Sequence, residues 1–491
     1  MLEVAEIGNR IDKQTYKDQA PQVRTDLLQA QRELAAAPFS VIVLLSGVEG
    51  GGKASTMDML LAWLDARGIQ THAIDQPTDE ERQRPPLWRF WRLLPPHGRM
   101  GIFLRSWYMR LFLDSVRHGL DRAALGRTIQ HIVHFERMLH HENTLIVKFW
   151  LHMSKDAIRS HFRKLEADPL QSWRVTKEDW QYLKRYDDFR LIAEEVLRET
   201  STSAAPWHIV EAVDRRYRDL TVARTLWESL RQRLDSVQAA PPRSEPKPTV
   251  LHPDPINILN QLDMSKSLNP KEYKKKLLKL QGKINILTRR LHDERRSMIL
   301  VFEGPDAAGK GGTIRRLTAA MDARDYQVIA VAAPTDEELA HPYLWRFWRH
   351  LPRLGRITIY DRSWYGRVLV ERIEGFCTQD EWQRAYEEIN EFEDQLTEFG
   401  VILLKFYIAL TPDEQLRRFQ DRETTPYKQY KLTEEDWRNR DKWDSYQAAA
   451  CDMIAKTSTP AAPWILVEGN DKNWARIKVL STIVDRLEQN R

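Results

Sequence analysis

The 491-residue chain has only two cysteines, Cys377 and Cys451. That is too few for a disulfide framework or a zinc cluster, and each reads as a small packed apolar side chain. No apolar run approaches the roughly 20 residues that cross a bilayer, and the opening MLEVAEIGNR carries acids where an export signal would be basic and then apolar. A cytoplasmic protein with no membrane association is expected. Charge of one sign is scarce too: 75 Lys and Arg against 70 Asp and Glu leave a net +5, so a polyanion would be held only where cations cluster. What is plentiful is packing material, with 42% hydrophobic residues and 17 Trp. The chain exceeds the roughly 250–300 residues at which one core stops growing, so two or more domains are expected.

Those domains are copies of each other. PTDEERQRPPLWRFWR at 77–92 recurs as PTDEELAHPYLWRFWR at 334–349, with 12 of 16 positions identical. The same shift of 257 carries RSWY at 105–108 onto 362–365, KF at 148–149 onto 405–406 and APW at 205–207 onto 462–464. One ungapped register over this length marks a duplicated domain, since solenoid repeats run about 20–50 residues. Between the copies, PPRSEPKPTVLHPDP at 241–255 is rich in proline, which favours extended linker. Expected boundaries are 1–240, a linker at 241–255, and 256–491. KEYKKKLLKLQGKINILTRRLHDERR, after the linker, has apolar residues at helical spacing and reads as an amphipathic helix.

In the second copy, short apolar runs at 297–303, 326–333, 356–361, 401–410 and 463–469 alternate with helical patterns. Continuous apolar runs between helices are the pattern of buried parallel strands. Each copy is therefore expected to be a three-layer α/β/α domain on a five-stranded parallel sheet, with ligands beyond the carboxyl ends of the strands. SMILVFEGPDAAGKGGT gives strand, glycine-rich turn and helix start in the order of a P-loop, with Gly304, Gly309 and Lys310 at G-x-x-x-x-G-K. Small residues there, Ala308, Gly311, Gly312 and Thr313 included, let backbone N–H groups close round phosphate while Lys310 adds a full charge. The usual Ser/Thr after the lysine is Gly311, and Asp306 stands inside the loop. With Asp361, which ends the apolar ITIYD, it makes a pair of carboxylates of the kind that holds Mg²⁺.

Cations surround these acids. Arg362 follows Asp361, Arg346 and Arg349 lie three apart in LWRFWR, and Lys405 sits in the fourth strand. TPDEQLRRFQDRETTPYKQYK opens with a capping box, Thr411 to Glu414, has Pro412 at the first helical position, and supplies Arg417, Arg418, Arg422, Lys428 and Lys431. Such a segment after the fourth strand is where a helical lid would close over phosphates and exclude water.

GPDAAGKGGT, YDRSWYGR and YKLTEEDW…APWILVEGNDK resemble the polyphosphate kinase 2 family, and the duplication resembles its two-domain members. The resemblance covers nearly the whole chain. It implies tandem P-loop kinase folds and transfer of the terminal phosphoryl group of inorganic polyphosphate to AMP, giving ADP. It further implies Mg²⁺ on Asp306 and Asp361, Lys310 and Arg362 beside the reacting groups, and lid cations such as Arg417, Arg418 and Arg422. A homo-oligomer binding polyphosphate and AMP or ADP, with no nucleic acid, is expected. In the first copy Lys310 becomes Lys53, but Asp306 becomes Glu49, Asp361 becomes Leu104, and Arg417, Arg418, Arg422 and Lys428 become Ser160, His161, Leu165 and Gln171. Only Lys431 keeps a cation there, Arg174. The first copy is therefore expected to be inactive. Two other readings stand open: an ATP-dependent nucleoside-monophosphate kinase, which the P-loop alone would suit, and a non-catalytic polyanion scaffold, which would not need the two acids.

Overall fold

A computed structural model describes residues 1–109, 111–112, 122–239 and 246–489; the first part of the Pro-rich stretch, 241–245, lies outside them. The chain divides into two compact units. One comprises Met1–Pro77, Leu87–Arg243 and Pro334–Trp345, the other Thr78–Pro86, Ser244–Ala333 and Arg346–Arg491.

Each unit is built on a five-stranded, all-parallel sheet. The first holds β1 (Ser40–Gly47), β2 (Ile69–Ala73), β3 (Met100–Leu104), β4 (Thr144–His152) and β5 (Trp207–Glu211). The second holds β6 (Met298–Glu303), β7 (Tyr326–Ala330), β8 (Ile357–Asp361), β9 (Ile402–Ala409) and β10 (Trp464–Glu468). The strand orders, β2-β3-β1-β4-β5 and β7-β8-β6-β9-β10, are the same, and flanking helices complete the α/β/α layers. All five apolar runs of the second copy are strands. One differs from expectation: 326–333 forms strand only over Tyr326–Ala330 and is largely exposed. It is the sheet edge, paired with β8 alone, so only one of its sides meets protein. The central β6 and β9 are buried along their whole length. The expected amphipathic helix runs over Pro270–Asp293, buries Ile284, Thr288 and Leu291, and starts on an Asn269 side chain that accepts from Glu272 N.

At the heart of each unit lies an ion pair that no apolar pattern announces. Lys405, in the middle of β9, has no solvent exposure, and its Nζ donates to Glu393 Oε2 at 2.6 Å, Thr457 O at 2.7 Å and Tyr365 OH at 3.0 Å. Glu393 Oε1 in turn accepts from Tyr365 OH at 2.6 Å and Trp364 Nε1 at 3.0 Å. Burial pushes the Glu393 carboxyl up and the Lys405 ammonium down, each opposed by the other's charge. The first unit repeats the arrangement residue for residue: Lys148 with Glu136, Thr200 and Tyr108, and Glu136 with Tyr108 and Trp107. Lys405 is thus a structural cation and not the phosphate contact that its position in the chain suggested.

Removing one partner strands the other charge in the core, which costs about 3–5 kcal/mol. Lys405→Ala is expected to lose roughly that amount of stability in chemical denaturation. A variant that unfolded like the parent but bound polyphosphate more weakly would contradict the structural role.

Candidate functional site

The turn after β6 needs the glycines it has. Gly304 has φ +138°, and a Cβ there would come within 2.4 Å of Ile408 O on β9; Gly309, at φ +105°, starts the helix Lys310–Thr318 in a left-handed conformation. Lys310 is almost fully buried, and its Nζ donates back to Gly304 O at 2.6 Å and Pro305 O at 3.2 Å, closing the loop into a ring. Burial and the neighbouring Arg362 push its ammonium pKa down, against the pull of Asp306, Asp361 and Glu303.

Asp306 joins the loop to the rest of the site. Its Oδ1 accepts from Arg362 Nη2 at 2.7 Å and its Oδ2 from Asn439 Nδ2 at 2.9 Å. Burial works against its charge, but Lys310, Arg362 and these bonds outweigh it and hold the carboxyl below the usual range. Arg362 sits in the left-handed region at φ +64°, a strained position for a residue with a side chain. It follows directly on Asp361, whose Oδ2 lies 3.6 Å from where a Cβ on Gly311 would stand. The absent Ser/Thr at 311 thus leaves the mouth of the loop to Asp361. The carboxyl groups of Asp306 and Asp361 offer hard oxygen donors, which fit an ion such as Mg²⁺ that keeps waters and phosphate oxygens as its other ligands.

Several predicted phosphate contacts have other work. Thr313 Oγ1 donates to Gly309 O at 3.1 Å, and Ala308 N donates to Pro305 O at 3.2 Å, so neither is a ready donor to a ligand. Arg346 donates to Ala332 O at 3.0 Å, beyond the end of β7, and neither it nor Arg349 lines the cavity described below. Arg418 changes role most. Its guanidinium is 2% exposed and bonds Ala307 O, Ala308 O, Gly469 O, Asn470 O and Glu414, all within 3.1 Å. It braces the phosphate loop from behind rather than closing over it. Arg417 is exposed and paired with Glu414, and Arg422 lies 3.7 Å from Asp436. The Lys428 and Lys431 side chains lie outside the described residues. The expected capping box is half formed: Thr411 Oγ1 accepts from Glu414 N, but Thr411 N donates to Asn470 Oδ1 because Glu414 is taken by the two arginines.

Beside Asp306 and Arg362 opens a cavity of about 440 Å³, within the roughly 300–1,000 Å³ of small-molecule sites. Glu303, Gln415, Asn439 and Tyr446 line it with apolar Leu369, Tyr407, Ala409 and Trp443. A folded strap that includes Leu259 and Leu262 also faces it, tied to its wall by Asn260 and Gln447 at 2.6 Å. Glu303 is buried, which raises its pKa against Lys310, and it accepts from Ser363 Oγ at 2.8 Å. None of Glu303, Gln415, Asn439 or Tyr446 was singled out from motifs. The signal was present in the shift of 257, which pairs them with Ser46, Ile158, Tyr182 and Phe189.

In the first unit the corresponding positions are filled. Leu369, Tyr407 and Ala409 become Phe112, Trp150 and His152, and Phe112 and Trp150 form an aromatic cluster with Phe189 and Tyr182: Phe112–Trp150 at 5.4 Å, Phe112–Phe189 at 5.5 Å, Tyr182–Phe189 at 5.1 Å. His152 Nε2 meets Glu6 of the equivalent strap at 2.8 Å. At the loop, Glu49 takes both cations, Lys53 at 3.2 Å and Arg105 at 3.4 Å. The Arg218 guanidinium, held by Asp219 and Ser55, presses so close to Gly52 that a Cβ there would meet Nη1 at 1.8 Å. Its counterpart in the second unit is Ala475.

Strand order, phosphate loop and paired acids place the second unit among P-loop kinase-like phosphotransferases. The family model described as Polyphosphate kinase 2 matches residues 10–238 and 267–491. A polyphosphate:AMP phosphotransferase of Pseudomonas aeruginosa is 49% identical over 489 residues, 99% of each chain. Another of that name from Acinetobacter johnsonii is 36% identical over 96% of each. A polyphosphate kinase 2 crystal structure from Pseudomonas aeruginosa PA01 superposes with a TM-score of 0.88 at 47% identity, covering 100% of this chain and 99% of its own. The chain belongs to the polyphosphate kinase 2 family and is a phosphotransferase.

Because Arg418 is a brace, Arg418→Ala should cost about 3 kcal/mol and lower the melting temperature by several degrees, whereas Arg417→Ala should leave it within about a degree. Equal effects of the two changes in a thermal melt would contradict this division of labour.

Proposed function

We propose that the second unit transfers the terminal phosphoryl group of inorganic polyphosphate to AMP, giving ADP, and that the first unit is catalytically inactive. The observation that carries this reading is the contrast between the two mouths. In the second, a small-molecule cavity abuts Asp306, Arg362 and the phosphate loop; in the first, aromatic rings fill it and Glu49 and Asp219 neutralise the cations. The relatives matched along nearly their whole length are polyphosphate:AMP phosphotransferases by name, which supports the choice of donor and acceptor.

AMP would place its base in the cavity and its phosphate toward Asp306 and Arg362. The end of the polyphosphate chain would lie over the loop, where Lys310 turns from Gly304 O and Pro305 O to a phosphate oxygen. An α-phosphate oxygen of AMP attacks the terminal phosphorus in line; the new P–O bond forms as the bridging P–O bond to the chain breaks, and the shortened polyphosphate leaves with that electron pair. The acceptor phosphate is already largely ionised at neutral pH, so no proton need be removed. Lys310 and Arg362 offset charge on the equatorial oxygens and hold the reactants in line. Asp306 and Asp361 would hold Mg²⁺, which supplies further neutralisation of phosphate charge. The lid cations Arg417 and Arg422 would follow the chain outward. A long polyanion suits a donor site whose loop lacks the Ser/Thr usual for nucleoside triphosphates. The same reading places the enzyme in the cytoplasm as a homo-oligomer.

The test offers the purified protein polyphosphate and Mg²⁺ with AMP, ADP, GMP or GDP in turn, and ATP in place of polyphosphate. ADP from AMP, little activity with ATP, a loss of roughly 100-fold or more in Lys310→Ala and a change within about twofold in Lys53→Ala are expected. Loss in Lys53→Ala with Lys310→Ala active would reverse the assignment of the two units.

A further inference from the structure

A chain of side chains crosses the wall of the cavity without belonging to any motif. Asn439, on the helix Glu434–Asp441, gives its amide N–H to Asp306 Oδ2 at 2.9 Å. Its other face, Oδ1, meets Tyr446 OH at 3.1 Å, and the same hydroxyl lies 3.2 Å from Glu374 Oε1. Glu374 is anchored by Lys442 at 2.8 Å and Arg438 at 3.3 Å. Burial and the Glu374 charge keep the Tyr446 phenol protonated, and its single proton is shared between Asn439 Oδ1 and Glu374 Oε1. A carboxamide can be turned either way by its surroundings. Here the accept-only Asp306 carboxylate takes the NH₂ group, and the phenol at Oδ1 completes that orientation.

The first copy lacks every member: Asp306, Asn439, Tyr446 and Glu374 correspond to Glu49, Tyr182, Phe189 and Arg117. The Lys405 network, which braces the core, is kept in both copies. This relay is lost where Asp361 and the cavity are lost. Both Asn439 and Tyr446 also line the cavity, so the segment that walls the acceptor is the segment that orients the loop acid.

We propose that Asn439 is a positioning residue for phosphoryl transfer: oriented by Tyr446 and Glu374, it holds Asp306 in its working rotamer against Arg362. This rests on the polyphosphate and AMP reading, and parental activity in that assay is the control that separates failure of the one from failure of the other. A bond to an ionised group is worth roughly 10- to 100-fold in an equilibrium.

Steady-state kinetics with AMP and polyphosphate, on the full chain, should show kcat down by about that factor in Asn439→Ala. KM for both substrates should stay within about twofold and the thermal melt should be unchanged. Tyr446→Phe, which keeps the ring in the wall, should lower kcat several-fold. The double variant should be no worse than Asn439→Ala alone, because both changes cut one chain. Three results would each overturn the proposal: kcat unchanged in Asn439→Ala, a loss confined to KM for AMP, or multiplying losses in the double variant.

Discussion

Both units depend on one buried ion pair, Lys405 with Glu393 and its twin Lys148 with Glu136. The lysine sits on the strand beside the central one, the glutamate on a long helix, and the aromatic pair that completes the network, Trp364 and Tyr365, is separated from Arg362 by Ser363 alone. A charge pair taken wholly out of water tolerates no loose geometry, because each lost hydrogen bond leaves a desolvated atom unpaired. The pair therefore fixes where the chain leaves β8, and with it Asp361 and the strained Arg362. The two acids are held by a network that lies outside the cavity.

On that shared frame the two copies differ at one end. The second has Asp306 in the loop, Asp361 at the end of β8 and an open cavity beside Asp306 and Arg362. The first replaces both and fills the space with Phe112, Trp150, Tyr182 and Phe189. The exchange is physically consistent: Glu49 offsets Lys53 and Arg105, Asp219 offsets Arg218, and the space that is open in the second unit is packed with rings. The first copy has kept what makes the fold and differs where the second has Asp361 and its cavity.

The fold was largely legible because it is written in local patterns: apolar runs of strand length, the glycine spacing of a phosphate loop, and a repeat at one register. The phosphate loop, Lys310, Asp306 and Arg362 were legible for the same reason, and they do come together. What stayed hidden depends on partners distant in sequence. Lys405 and Arg418 read as anion contacts because a lysine or arginine near a phosphate motif carries no mark of the buried glutamate or backbone carbonyls it will meet. Thr411 and Glu414 fit a capping box, but tertiary arginines outbid the helix for the glutamate. Asn439, Tyr446 and Glu303 belong to no motif. Subtracting one copy from the other at every position, not only at expected catalytic ones, would have found them.

The account holds that a single working mouth exists per chain. Calorimetric titration of the purified protein with AMP tests it most directly, since no turnover is needed. The predicted stoichiometry is one AMP per chain, abolished by filling the cavity with Ala409→His; two equivalent AMP sites per chain would contradict the account.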